Sequence, residues 1–293
     1  MWVIGIALPI ASQAYDFKFG GICYNILSEE DRTVEVTYVS HDYNNNNYVK
    51  GHISISPKVI YNSKSYSVTA IGEGAFYECS GLTSVDIPCS VTTIGDHAFI
   101  RCSGLTSVDI PSSVTEIGSG AFSSCEKLSN INVQQGNSNY CSVEGILYSK
   151  KKDVVTSVVC CPAGKKGIIK IPSSVTTIGD DAFYSCSGLT SVDIPSSVTT
   201  IGDYAFVNCS GLTSVDIPSS VTVIGCSAFS SCSGLTSVDI PSSVTTIGDH
   251  AFYNCYRLKS VDIPSSVTVI GDYAFDDIRL EKIYCHWEKP IKN

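Results

Sequence analysis

The chain has 293 residues, of which 43% are hydrophobic and 16% are charged, and its formal net charge at pH 7 is -9. This apolar, weakly charged composition excludes a disordered chain, and the acidic excess disfavours nucleic acid or an anionic membrane surface as a partner. Because no apolar run reaches the roughly 18 residues that a spanning helix needs, we expect no transmembrane segment.

The first 14 residues resemble a secretory signal peptide. They form an apolar stretch, WVIGIALPI, followed by Ser12 and Ala14, which fit the small-x-small pattern of signal cleavage sites. No Lys or Arg precedes the apolar stretch, so an N-terminal strand of the fold is the alternative. The signal interpretation is supported by the polar sequence that begins at Tyr15, and it predicts an extracellular or cell-surface protein.

Residues 15–67 do not share the regularity of the remaining chain. Residues 34–39 (VEVTYV) and 52–56 (HISIS) alternate between apolar and polar side chains and are predicted to form strands, with the four Asn at 44–47 in a loop. Because a repeat array needs a cover over its open end, we interpret residues 15–67 as an N-terminal cap.

Residues 68–293 are predicted to form a repeat array with a period of 23 residues. An Ala-Phe dyad occurs eight times, with Phe at 76, 99, 122, 183, 206, 229, 252 and 275. Only the interval from Phe122 to Phe183 departs from 23, because it holds one further coil and an insertion of 15 residues. We place this insertion at about 134–167 and predict a hairpin in which residues 146–148 pair with 154–159. A period in this range is typical of a solenoid.

One coil of the array illustrates the expected fold. The L-x-x-V-x-I pattern at 189–194 predicts a short strand with one buried face, which ends at Pro195. Gly202 allows a backbone that a Cβ would hinder, and Asp203 is predicted to cap a short helical turn carrying Phe206. Stacked coils then give a mainly β, right-handed solenoid with one parallel strand per 23-residue coil and short turns or 3₁₀ pieces on the far side.

The repeated segment resembles that of a known family. IPSSVTTIGDYAF followed by CSGLTSV is similar to the Treponema-type leucine-rich repeat of the BspA-like bacterial surface proteins, over about residues 68–277. The hairpin insertion also resembles the family. The resemblance implies a curved leucine-rich-repeat solenoid, a secreted or cell-surface location, and adhesion to host proteins or to other cells.

Seven of the 14 cysteines occupy one repeat position, at Cys79, Cys102, Cys125, Cys186, Cys209, Cys232 and Cys255. This spacing predicts a buried column in which Cys behaves as a small apolar side chain. Cys141 and the pair Cys160–Cys161 flank the hairpin, and a disulfide between Cys141 and Cys161 is a further hypothesis.

The sequence contains no motif of a catalytic or cofactor site, so we expect neither an enzyme nor a cofactor. No close Cys-x-x-Cys pair is present, and metal binding by the repeat histidines is disfavoured. His97 and His250 share one repeat position, but the six coils between them span about 30 Å.

The outward strand positions give the candidate binding residues. The position after the buried Val carries Asp86, Asp109, Asn132, Lys170, Asp193, Asp216, Asp239 and Asp262. The neighbouring position carries Ser84, Ser107, Asn130, Ile168, Ser191, Ser214, Ser237 and Ser260. We expect single columns on the stacked sheet. Duplication of a tolerated exposed Asp explains them, and so does a recognition strip for basic or hydroxyl-rich ligands or weakly held cations.

These features predict a secreted or cell-surface protein that mediates protein–protein interaction or adhesion, with a host-matrix or cell-surface protein as its partner. A glycan partner stays open, although the strand columns lack the aromatic residues that glycan binding favours. The alternative function is a passive structural or coat protein without a specific ligand.

Overall fold

The structure, a computed structural model, describes residues 15–38 and 49–287. The signal-like segment and the Asn44–Asn47 loop lie outside these residues. The described chain forms a β-solenoid and contains no helix. No helix in this part of the chain is therefore long and apolar enough to cross a membrane.

The described strands fall into three consecutive groups. The first group contains β1 (Phe17–Phe19), β2 (Ile22–Ser28), β3 (Thr33–Thr37), β4 (Gly51–Ser54), β5 (Lys58–Tyr61) and β6 (Lys64–Ile71). The next contains β7 (Leu82–Asp86), β8 (Thr93–Ile94), β9 (Ser107–Ile110), β10 (Glu116–Ile117), β11 (Asn130–Val133), β12 (Tyr140–Val143), β13 (Ile146–Lys151) and β14 (Val154–Cys160). The last contains β15 (Gly167–Lys170), β16 (Thr177–Ile178), β17 (Leu189–Asp193), β18 (Thr200–Ile201), β19 (Ser214–Asp216), β20 (Val223–Ile224), β21 (Ser237–Asp239), β22 (Thr246–Ile247), β23 (Ser260–Ile263), β24 (Val269–Ile270) and β25 (Lys282–Cys285).

Each regular coil has three sides. The first side, here called the strand face, contains β4, β7, β9, β11, β15, β17, β19, β21, β23 and β25. The second side is a parallel sheet of two-residue strands such as β18, β20 and β22, which pair in register. The third side, the turn face, is a series of tight turns that runs, in one coil, from Gly202 to Gly211. The Phe and Cys columns lie beneath the turn face.

The N-terminal cap continues both sheets of the array. The predicted strands at 34–39 and 52–56 correspond to β3 and β4, with Val39 outside the described residues. β3 pairs in parallel with β6, and β4 pairs in parallel with β7. Phe17, Tyr24 and Tyr66 fill the cap interior, so the first coil packs on a hydrophobic layer.

The hydrophobic core is built from stacked identical residues. Neighbouring Phe rings lie nearly parallel, with centroids 4.7–5.4 Å apart, in one run from Phe76 to Phe122 and another from Phe183 to Phe275. The buried Leu, Val and Ile of each coil surround these rings. A coil therefore buries its apolar edge against its neighbours rather than within itself.

The structure confirms the buried cysteine column. All seven repeat cysteines have no exposed surface. The thiol of Cys209 donates a hydrogen bond to the carbonyl oxygen of Phe183 in the preceding coil at 3.0 Å, and Cys232 and Cys255 repeat this contact at 3.1 and 3.2 Å. Burial raises the pKa of the Cys255 thiol to about 12. The column thus combines a small packing volume with a weak donor to the backbone.

We expect the column thiols to resist alkylation in the native protein. Cys209 and Cys232 are inaccessible and their pKa values are raised by burial, whereas Cys89 and Cys285 are exposed and serve as internal controls. Thiol labelling followed by peptide mass spectrometry should modify the two exposed cysteines rapidly and the column only in denaturant. Equal labelling rates for Cys209 and Cys89 without denaturant would contradict the packing.

The predicted helical turn after Asp203 is wrong. The N–H groups of Tyr204, Phe206 and Asn208 donate to carbonyls of the next coil at 2.7–2.9 Å, so they are not available to a helix. The Asp203 carboxylate instead accepts the backbone N–H of Cys226 in that coil at 2.7 Å. The side chain that we predicted as a local cap is therefore a link between coils.

The insertion forms an antiparallel meander of β12, β13 and β14, which confirms the predicted hairpin. β14 then joins the sheet of two-residue strands by pairing in parallel with β16. The N–H of Cys161 donates to Ala182 O at 2.6 Å, as that of Phe183 does to Ala205 O at 2.7 Å. Cys161 therefore occupies a position of the Phe column and separates the two runs of stacked rings.

The disulfide hypothesis is not supported by the hairpin. Cys141 and Cys161 are both free thiols, and Cys141 lies opposite Tyr148 in the strand register. Cys161 follows β14 and is directed into the core at the Phe position, where it is 2% exposed. The hairpin turn therefore does not bring the two cysteines together as the spacing had suggested.

Candidate functional site

The strand face displays the predicted acidic residues at regular spacing. Asp239 lies in register with Asp216 on one side and with Asp262 on the other, and Lys170 lies in register with Asp193. Within each strand the intervening Val is buried while the Asp is exposed. The predicted face residues thus point to solvent at Asp86, Asp109, Asp193, Asp216, Asp239 and Asp262, with Ser214, Ser237 and Ser260 exposed and Ser191 half-buried beside them.

The expectation of one unbroken column is wrong at the insertion. β11 pairs with β9, and β15 pairs with β17, but the N–H of Ile131 donates to Gly145 O at 3.0 Å. The β12–β13 turn therefore lies against β11 where the next strand of the array would otherwise pair. The insertion divides the face into a segment ending at Asn132 and a longer segment beginning at Lys170.

The acids at the two ends of the face have partners that the sequence did not reveal. His52 Nε2 lies 3.3 Å from the Asp86 carboxylate, and its Nδ1 lies 2.9 Å from Ser84 Oγ. At the other end, His286 Nε2 lies 2.7 Å from the Asp262 carboxylate. Both histidines lie outside the regular repeat. Only alignment of HISIS with LTSVD across the cap boundary could have indicated the His52 contact.

The central acids lack such partners. Asp109 accepts a hydrogen bond from Asn132 Nδ2 at 2.8 Å. Among the residues described, Asp193, Asp216 and Asp239 have neither an ion pair nor a side-chain hydrogen bond. Two unit charges at the roughly 4.8 Å spacing of paired strands repel by about 1 kcal/mol in water. The centre of the longer segment is therefore a source of negative potential on a rigid sheet.

The chemistry that this face offers is binding. Its carboxylates and hydroxyls can accept hydrogen bonds from cationic or hydroxyl-bearing groups. Within residues 15–38 and 49–287, no group of three or more His, Cys, Asp or Glu side chains is arranged to hold a metal ion. A shallow hollow lies between β19 and β21, lined by residues 214–216 and 237–239.

A solenoid with one L-x-x-V-x-I strand per coil defines a leucine-rich-repeat protein. The chain matches the family profile described as the BspA type leucine rich repeat region, in six copies, over residues 56–147 and 165–281. It therefore belongs to the BspA-type leucine-rich-repeat family. Members of this kind of protein are non-enzymatic and generally bind proteins.

Solved structures share the fold over most of the chain. A leucine-rich cell surface protein from Faecalibacterium prausnitzii is 25% identical, with a TM-score of 0.66 over 93% of this chain and 95% of that one. A leucine-rich-repeat protein from Bacteroides ovatus is 29% identical, with a TM-score of 0.54 over 93% of this chain and 68% of that one. No curated protein matches the chain. The family and the cell-surface description of a relative suggest an extracellular or surface location.

Proposed function

We propose that the protein is secreted or cell-surface exposed and mediates adhesion by binding a protein partner through the strand face. The observation that carries the proposal is the run of Asp193, Asp216 and Asp239, exposed and unpaired on a rigid parallel sheet. The family, whose members generally bind proteins, supports a binding role. The signal-like sequence of residues 1–14 supports export.

The chemistry of the face favours a basic partner. A row of carboxylates attracts Lys and Arg side chains of a host-matrix or cell-surface protein and repels acidic ones. The sheet is already ordered, so binding does not require the face to lose backbone freedom. Association should therefore be fast at low ionic strength and slow markedly as salt screens the charges.

Changing Asp193, Asp216, Asp239 and Asp262 together to Asn should separate binding from stability. These side chains are exposed, so we expect each substitution to alter the free energy of unfolding by no more than about 0.5 kcal/mol. Retention of basic matrix proteins on the immobilised variant should fall at least about tenfold, with most of its salt dependence lost. Thermal unfolding and binding kinetics at two ionic strengths measure these effects.

The matched control removes the same number of charges elsewhere, by changing Glu30, Glu73 and Glu126 to Gln and Asp276 to Asn. These four acids are exposed and lie outside the strand face. Equal loss in the two variants would indicate a general effect of net charge rather than a local site. Absence of retention by the native protein would instead favour the passive structural or coat function.

A further inference from the structure

The turn face carries a second surface whose chemistry differs from that of the strand face. Two adjacent hollows of about 470 and 450 Å³ lie along it. They share Glu126, Ser185 and Asn208, so they form one continuous depression, here called the turn-edge groove. Its regular half crosses three successive coils and is lined by Ser187, Ser210, Ser233, Ser231, Asn254 and Tyr256.

Polar side chains in this half of the groove are free to bind a ligand. In the part of the chain that the structure describes, the side chains of Asn208, Ser210, Ser231 and Ser233 form no hydrogen bond. The Oδ1 atom of Asn254 is shielded from solvent and also has no donor. An acceptor left unpaired in this way costs about 1–3 kcal/mol, so a donor that reaches it gains an unusually favourable contact.

The groove is also preorganised by its backbone. Asn208 and Ser231 adopt left-handed conformations with φ of 60° and 59°. Their N–H groups donate to Ser230 O at 2.9 Å and to Tyr253 O at 2.7 Å in the next coil. These bonds fix the direction in which each side chain leaves the turn, so little ordering is needed on binding.

Charge and composition identify the class of ligand. Glu126 is the one charged residue among those that line the regular half of the groove. The remaining lining consists mainly of hydroxyl and carboxamide groups, with the 52% exposed Tyr256 at one end. Serine, asparagine and tyrosine are the residues that adaptable polar binding sites use, with an aromatic ring as the flat apolar contact.

We propose that the turn-edge groove binds a neutral oligosaccharide. A sugar chain supplies both donors and acceptors at each ring, and its apolar ring faces can stack on tyrosine. The coils repeat at about 4.8 Å, which is comparable to the length of one sugar ring along a linear chain. A basic or acidic polymer would find almost no complementary charge here. The strand face lacks aromatic residues in its acidic segment, but the groove supplies one.

The probes are linear glucose, mannose and N-acetylglucosamine oligosaccharides on an array, beside sialylated and uronic-acid oligosaccharides. We expect the full chain to retain at least one neutral series in preference to the anionic ones. Titration calorimetry with the retained oligosaccharide should then show about tenfold weaker binding for the double variant Asn208→Gly/Ser231→Gly and for Tyr256→Ala. Glycine accepts the left-handed backbone at both turn positions, so the first variant should retain the native fold.

Thermal unfolding verifies the fold of each variant, and the strand-face variant with four Asp→Asn changes serves as the control because it should bind the oligosaccharide normally. Retention of no neutral oligosaccharide, preference for the anionic series, or equal affinity in native protein and groove variants would overturn the proposal. The two proposals concern different surfaces and probes, so failure of one does not imply failure of the other.

Discussion

Replacing Phe206 by Ala should lower the free energy of unfolding by about 3–5 kcal/mol. The ring is fully buried, and it stacks on Phe183 at 4.7 Å and on Phe229 at 5.1 Å. Its removal deletes both aromatic contacts and leaves a cavity between two coils whose backbones are fixed by hydrogen bonds. Chemical denaturation followed by circular dichroism measures the loss.

The matched control is Phe275→Ala at the last position of the column. Phe275 is partly exposed and stacks on one neighbour, Phe252, at 5.3 Å. Because each coil contacts only its neighbours, a terminal ring contributes fewer contacts, and its loss should destabilise less. Equal losses at the two positions would show that the stacked column does not carry the stability assigned to it. Hydrogen exchange should locate the weakened coils, since repeat arrays can unfold in parts.

The repeating core could be predicted from the sequence because each coil presents the same side chains to the next. Residues such as Val192, Phe206 and Cys209 recur at one spacing, and stacking turns that spacing into a column whatever the details of the turns. The exposed direction of the Asp column follows from the same alternation. The regular part of the fold and of the candidate face therefore depends only on periodicity.

The features that escaped prediction depend on contacts between residues outside the period. His52 and His286 meet Asp86 and Asp262 only because the cap strand β4 and the final strand β25 extend the strand face at its two ends. The hairpin divides the face because its turn packs beside β11, which strand pairing alone does not indicate. Neither arrangement follows from a residue's position within one coil.

The turn face shows how tertiary contacts override local signals. Asp203 before a short Ala-Phe segment has the local pattern of a helix cap, yet the next coil offers acceptors to alternate N–H groups of that segment. Those bonds require left-handed backbone at Tyr204 and Asn208, with φ of 57° and 60°. Local propensity therefore predicted the wrong element, and the groove on this face could not be foreseen.

Replacing Gly248 by Ala should destabilise the array by roughly 1–3 kcal/mol or more through steric overlap between coils. A Cβ at this position would lie 2.6 Å from Cys226 N, 2.7 Å from Gly225 C and 2.9 Å from Cys226 Cα. All three atoms belong to the backbone of the preceding coil, so no side chain can rotate away. The coils would have to separate, which would weaken the bond from Gly248 N to Ile224 O, now 2.8 Å.

Gly179→Ala is the matched control in the same repeat position, because the coil before it is the irregular one that contains the insertion. A Cβ there would meet one atom within 4 Å, Val158 O at 2.9 Å. Alanine also restricts the unfolded chain, which stabilises the native state by about 0.4–1 kcal/mol where the site can accept it. We therefore expect a much smaller change, near zero, at Gly179. Thermal and chemical unfolding of the two variants compares them directly, and equal destabilisation would mean that close approach of the backbones is not the reason for glycine in this column.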